Sequence, residues 1–280
     1  MNSPATAANP QLPVIAFIGG GNMASAIIGG LIRQGHPADQ IEVVEPWEDA
    51  RTALRKNFAI EALPTPGPAL ARAGIVVWAV KPQTFKDAAA QAREHTQGAL
   101  HLSVAAGIRT DSIAQWLGSD CIVRTMPNTP ALVGKGMSAL YARAGVSDAQ
   151  CQSVEAIMAT TGEFLWVENE KQLDAVTALS GSGPAYVFYF LEAMARAGTA
   201  MGLSPAQAHQ LAVGTFVGAS ELARRSDEAP EVLRQRVTSK GGTTYAAIQS
   251  MEQDGVGASF ERAMRAAEQR AHALGDEFGS

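Results

Sequence analysis

IAFIGGGNMASAIIGGL, residues 15–31, decides the fold. A short apolar, β-branched run breaks into three glycines, and a helical spacing of apolar residues starts at once. Gly19, Gly21 and Ala24 fall into the pattern G-x-G-x-x-A. In a strand–turn–helix setting the first glycine permits the tight turn and the second lets the backbone approach a pyrophosphate. The alanine allows close helix–strand packing, and the unpaired N–H groups of the helix start face the anion. Gly19, Gly20, Gly21, Asn22, Met23 and Ala24 are therefore the first candidates for binding a dinucleotide. A tight βα turn without ligand, or a methyltransferase loop holding an adenosyl cofactor, has the same local pattern.

The same grain continues outward. VIAFI (14–18), IEVVE (41–45), IVVWAV (75–80), ALHLSV (99–104) and CIVRTM (121–126) are short and β-branched. Between them lie the helix-periodic stretches ASAIIGGLIRQG, EDARTALRKN, QTFKDAAAQAREH and TDSIAQWL. Such alternation predicts βαβ units and a doubly wound parallel sheet covered on both faces. After about Glu170 the strand signals stop and alanine-rich helical patterns take over, from KQLDAVTAL to SFERAMRAAEQRAHAL. Ser204-Pro205 opens one of these helices, and Gly202 ends the one before. The expected architecture is a tail over 1–12, a Rossmann-like α/β domain over 13–168 and an all-α domain over 169–280.

Composition bounds the function. The chain has 280 residues, 46% hydrophobic and 18% charged, with a net charge of −5. This is a globular balance with no pull toward nucleic acid or an acidic membrane. The N-terminus has no basic region followed by an apolar core, so no signal peptide is read there. The most apolar stretch, 184–203, carries Glu192 and Arg196 and reads as a buried soluble helix rather than a span. Two cysteines, Cys121 and Cys151, make neither a disulfide framework nor a zinc knuckle, and fit reduced thiols in a cytoplasm. The five histidines form no metal-binding or catalytic pattern, so no metal is expected.

Two further features flank the glycine loop. Glu45 ends the second strand about twenty residues past the loop, where a carboxylate accepts hydrogen bonds from ribose hydroxyls and repels a 2′-phosphate. That favours NADH over NADPH, whereas Arg51, one turn into the next helix, reaches toward a phosphate. Glu45 also reads as a cap for the helix after Pro46. AVKPQ (79–83), counted as the exit of a fourth strand, places Val80, Lys81 and Pro82 toward the cofactor cleft; Lys81 also reads as a surface lysine before a helix.

Three later segments are more specific: RTMPNTPALVGKGMSAL (124–140), ALSGSGPAYVF (178–188) and VTSKGGTTYAAIQSME (237–252). In the first, Pro127 and Pro130 stiffen a loop that holds the Asn128 amide in one pose; an Asx-turn explains Asn128 equally well. In the second, Ser180 and Ser182 are read as caps of a long helix, with glycines that admit a flat ring or a close helix–helix seam. The third has two glycines ringed by hydroxyls where an interhelical turn needs one.

Together with IGGGNMA and AVKPQ, these segments resemble pyrroline-5-carboxylate reductase, in register from about residue 14 to about residue 275. The resemblance implies NAD(P)H-dependent reduction of a cyclic imine, 1-pyrroline-5-carboxylate, to L-proline. It also implies a Rossmann domain followed by a helical domain that interlocks with a partner subunit. Ser239 and Thr244 match the substrate-contacting hydroxyls of that family. Gly241, Gly242, Thr243 and Thr244 would form the first turn of a helix whose N–H groups and dipole cradle the substrate carboxylate, the dipole adding ~0.3–2 kcal/mol. Thr244 would also hydrogen-bond the imine or amine nitrogen.

Two departures stand out. Lys240 replaces the usual proline of S-P-G-G, so it either faces solvent or adds attraction for the carboxylate. EAPE (228–231) replaces E-H-P-G, and the correspondence at Glu228 is weak. Catalysis is expected chiefly by positioning. The chain is further expected to form a homodimer through its Ala/Gly-rich helices, with a higher homo-oligomer open. Competing readings are a two-domain dehydrogenase of the β-hydroxyacid type and a non-catalytic dinucleotide-sensing regulator.

Overall fold

The computed structural model describes residues 12–279; the expected tail, apart from Leu12, lies outside them. Two compact units emerge. The first runs to Ser182 and takes in the chain again from Ala267, and the second is Gly183–Ala266.

The first unit is built on a seven-stranded sheet. Five strands, β1 (Ile15–Ile18), β2 (Ile41–Val44), β3 (Ile75–Trp78), β4 (Leu100–Ser103) and β5 (Ile122–Met126), pair in parallel in the order β2-β1-β3-β4-β5. AVKPQ thus follows the third strand in chain order. Two more strands extend the sheet beyond β5. β6 (Gly136–Ala142) runs antiparallel to β5, and β7 (Gly162–Trp166) lies parallel to β6. An all-parallel sheet is therefore corrected at this edge.

Both faces of the sheet are covered, so neighbouring residues of one strand serve different cores. Ile15, Phe17, Ile75 and Val77 join one apolar cluster, and Ala16, Ile18, Val76 and Trp78 join another. Each fully buried Ile or Phe contributes about 1.5–3 kcal/mol over exposure. Helices α1 (Asn22–Arg33), α2 (Glu48–Phe58), α3 (Pro82–Ala92) and α4 (Thr110–Leu117) make the crossovers, and α5 (Asp148–Ala159) joins β6 to β7. A Ser147–Gln150 capping box starts α5. The strand order turns around between β1 and β3, the place where open α/β sheets take ligands at their carboxyl ends.

α6 (Gln172–Val176) runs directly into a π-turn, Thr177–Gly181, at the end of the first unit. The second unit contains α7 (Gly183–Ala200), α8 (Pro205–Arg225), α9 (Pro230–Arg236), α10 (Thr243–Gln253) and the larger part of α11 (Val256–Phe278). Ser204 and Gln207 form a capping box at the start of α8. Gly198 of α7 is buried, and a Cβ there would stand 3.0 Å from the Cβ of Ala208, so small residues bring α7 and α8 together. Tyr186 and Phe190 pack edge-on against Phe260.

The expected burial of 184–203 does not hold within one chain. Phe188 is 64% and Tyr189 66% exposed, and Leu211, Val217 and Leu222 of α8 are exposed too. A unit of this size has too little interior to cover both faces of such long apolar helices. Among the described residues no helix is long and apolar enough to cross a membrane.

Candidate active site

Gly19 leaves β1 with φ +98°, a left-handed conformation, and a Cβ there would stand 2.6 Å from the carbonyl oxygen of Ala79. Only glycine meets both conditions. The segment Ala79–Val80 thus lies directly against the glycine turn. Gly21 is the N-cap of α1, with no side-chain cap and with open space where a Cβ would point. Asn22 is exposed, Met23 is half-buried against the core and Ala24 is fully buried under the turn. No acidic residue occupies the first turn of α1. Free N–H groups, an uncapped dipole and open space at Gly21 together suit the pyrophosphate of a dinucleotide.

Glu45 is 5% exposed. Its Oε2 accepts from the Gly20 N–H at 2.7 Å and its Oε1 from the Trp47 N–H at 2.9 Å. The carboxylate therefore braces the glycine loop against the turn after β2. The Arg51 guanidinium does not pair with it. It donates to the carbonyls of Glu45 (3.0 Å) and Pro46 (2.6 Å), and Trp47 beside it is 75% exposed. Trp47 is a residue that sequence reasoning missed; its place one residue after the Glu45-Pro46 turn is the signal. Lys81 is exposed as the N-cap of α3, Pro82 takes the first helical position, and Thr84 Oγ1 donates to the Lys81 carbonyl at 3.1 Å.

Asn128 lies at the carboxyl end of β5 and is 8% exposed. Its Oδ1 accepts from the Met137 N–H at 2.9 Å and its Nδ2 donates to the Ser180 carbonyl at 3.1 Å, which fixes the amide orientation. The amide joins two of the specific motifs and the start of β6. The Ser180 hydroxyl is buried without a hydrogen-bond partner, so the expected cap from Ser180 is corrected: its carbonyl, not its hydroxyl, is engaged.

One residue group near this loop was not singled out from the sequence. Arg124, in β5, is 2% exposed and pairs with Glu170 at 2.9 Å. The same carboxylate accepts from the Thr110 N–H (2.7 Å) and hydroxyl (2.6 Å), closing the start of α4. An arginine in the middle of an apolar strand run was the available signal, because a buried charge requires a partner.

In the second unit, VTSKGGTT forms the turn between α9 and α10. Gly241 has φ +76°, the Gly242 N–H donates to the Ser239 carbonyl at 3.0 Å, and Gly242 is the N-cap of α10 with no side-chain cap. Ser239, Gly241, Thr243 and Thr244 are exposed, and the first turn of α10 has no acidic residue. Nearby charges are paired with one another: Arg236 of α9 pairs with Glu228, just before that helix, at 2.6 Å, and Arg234 with Glu252 of α10 at 3.5 Å. Lys240 is exposed and joins no ion pair among the described residues. An uncapped helix start with two hydroxyls and no acidic residue in its first turn suits a small anion.

Known proteins resemble this chain in sequence and fold. Residues 170–274 match the family model "Pyrroline-5-carboxylate reductase dimerisation", and residues 14–107 match "NADP oxidoreductase coenzyme F420-dependent". A pyrroline-5-carboxylate reductase of Pseudomonas aeruginosa is 46% identical over 271 residues, 95% of this chain and 98% of that protein. The Haemophilus influenzae protein of the same name is 40% identical, over 91% and 95%. Among solved structures, a pyrroline-5-carboxylate reductase from Coxiella burnetii superposes with a TM-score of 0.87 at 36% identity, covering 94% of this chain and 98% of that one. One from Plasmodium falciparum, described with NADP bound, gives 0.85 at 28% identity over 94% and 98%. This chain belongs to the pyrroline-5-carboxylate reductase family and is an oxidoreductase that converts 1-pyrroline-5-carboxylate to proline.

Proposed function

We propose that the substrate carboxylate is held at the start of α10 by Ser239, Gly241, Gly242, Thr243 and Thr244, and that the cofactor is held by the glycine loop, Val80–Pro82 and the edge at Glu45–Arg51. The observation that carries the substrate half is the uncapped N-terminus at Gly242, next to a left-handed Gly241 and with no acid in the turn. Bound reduced nicotinamide supplies the hydride for the imine carbon. The main-chain donors of α10 fix the carboxylate and hence the ring, and the Thr244 hydroxyl serves the ring nitrogen, where the amine product needs a proton. A ring held at both points loses most of its rotational freedom before the chemical step.

NADPH is proposed as a substrate alongside NADH. The charge of Glu45 is turned onto two backbone donors, and Arg51 stands at the rim as a phosphate partner. Asn128, with both amide atoms engaged by backbone partners, serves the cofactor side by fixing the loop at the end of β5. The exposed faces of α7 and α8 are proposed to meet a second copy of the chain, in keeping with the dimerisation family matched by 170–274. The reading of 13–168 as the cofactor domain and 169–280 as the substrate and dimer domain rests on the same division of labour. A cytoplasmic setting suits two free cysteines and a nicotinamide-dependent reductase.

Steady-state kinetics of Ser239→Ala and Thr244→Val test the substrate site. Each is expected to raise the KM for pyrroline-5-carboxylate or lower kcat by about tenfold, with NADPH affinity unchanged. Unchanged constants for the imine would place its carboxylate elsewhere.

A further inference from the structure

We propose that Asn128 is a positioning residue that stands in for a backbone donor missing from the chain itself. A carbonyl in a continuous helix is served by the N–H four residues on. Four residues after Ser180 stands Pro184, which has no N–H. Asn128 Nδ2 donates to that Ser180 carbonyl at 3.1 Å, while its Oδ1 is fixed by the Met137 N–H at 2.9 Å.

The backbone around Ser180 is widened into a π-turn, in which the Ser182 N–H bonds the Thr177 carbonyl at 2.8 Å. π-turns of this kind collect at functional sites, where they leave carbonyls free for other partners. The turn sits directly on the end of β5: a Cβ at Gly181 would stand 2.5 Å from the Met126 Cε. Asn128 thereby ties the loop at the carboxyl end of β5 to the glycines of the 180–183 segment. Its role in the reaction is to hold that segment in register, not to touch the imine.

The inference goes beyond the assignment of the substrate site and is read by a double-mutant cycle of Asn128→Asp and Pro184→Ala in the full-length enzyme. Aspartate keeps the acceptor for Met137 and removes the donor to Ser180. Asn128→Asp is expected to lower kcat about tenfold, the equivalent of one lost hydrogen bond, with the KM for the imine within about twofold. The Pro184→Ala background restores an N–H four residues after Ser180; with that carbonyl served by the chain's own N–H, the same change is expected to cost about twofold or less.

Equal losses in both backgrounds would overturn the proposal, as would a drop in thermal midpoint with kcat untouched. Should Asn128→Asp fail to fold, Asn128→Ala takes its place in the cycle with the same coupling expected. A parent protein without turnover would sink the reductase reading instead, and the coupling would still be read from the four thermal midpoints.

Discussion

Replacing Glu45 with glutamine separates two roles for this side chain. If it faces the ribose, the substitution changes cofactor affinity and leaves the fold alone. The structure points to a brace: both oxygens accept backbone N–H groups, from Gly20 at 2.7 Å and Trp47 at 2.9 Å, in a residue 5% exposed. Glutamine offers one acceptor and one donor, so one of those N–H groups must face an NH2. The loss is one charge-assisted hydrogen bond plus a buried donor without a partner, about 1.5–3 kcal/mol. For a compact unit of this size each kcal/mol moves the thermal midpoint by about 2–4 °C, so a drop of about 4–8 °C is expected for a loss of about 2 kcal/mol. Differential scanning calorimetry reads the midpoint, and fluorescence titration reads NADH and NADPH affinity in the same variant. A weakening of both cofactors together follows from a loosened glycine loop. A midpoint within about 1 °C of the parent, with NADH affinity alone reduced, would refute the brace.

Other expectations follow from the same geometry. His101 is buried in β4, its Nδ1 accepts the Trp78 indole N–H at 3.2 Å, and burial lowers its pKa from 6.5 to about 4. The fold therefore prefers the neutral ring, and its contribution is complete above about pH 6.5 and is lost as pH falls toward 4. At pH 5 urea denaturation should give about 2 kcal/mol less stability than at pH 8 from this group, and His101→Asn should flatten that part of the profile. Lys240→Pro should leave the KM for pyrroline-5-carboxylate unchanged if Lys240 only faces solvent; a rise would assign its charge to carboxylate attraction. Charge introduced by Val217→Asp on the exposed face of α8 should shift sedimentation toward a smaller species, and a parent protein that sediments as an active monomer would remove the proposed dimer.

Much of the fold was legible because both faces of the sheet are covered. Strands β1 to β5 read as short, mainly apolar runs, and α8 reads from its start through Ser204-Pro205. β6 and β7 escaped for a physical reason. GMSALYA is made largely of small residues, and GEFLW alternates half-buried with exposed positions. Neither shows the continuous apolar signal of an inner parallel strand. The helix between them was announced by S-x-x-Q at Ser147–Gln150, a capping box left unread.

At the site, the glycine pattern gave the position of Gly19 and Gly21, but not that Glu45 turns inward. That depends on two backbone N–H groups brought together only by the β1–β2 pairing. The partner of Asn128 was hidden for the same reason, since Ser180 lies 52 residues away in sequence. The apolarity of 184–203 was visible, and its exposure was not, because sequence patterns do not say whether a face is covered by the same chain or by another.

The reaction proposed for this chain is hydride transfer to a cyclic imine whose carboxylate rests on α10. Its most direct test is the loss of absorbance at the nicotinamide band when pyrroline-5-carboxylate is added to the full-length enzyme with NADPH and, in parallel, with NADH. The prediction is turnover with both cofactors, with kcat/KM for the imine lowered about tenfold in Thr244→Val. A folded parent protein with no imine-dependent oxidation of either cofactor would contradict it.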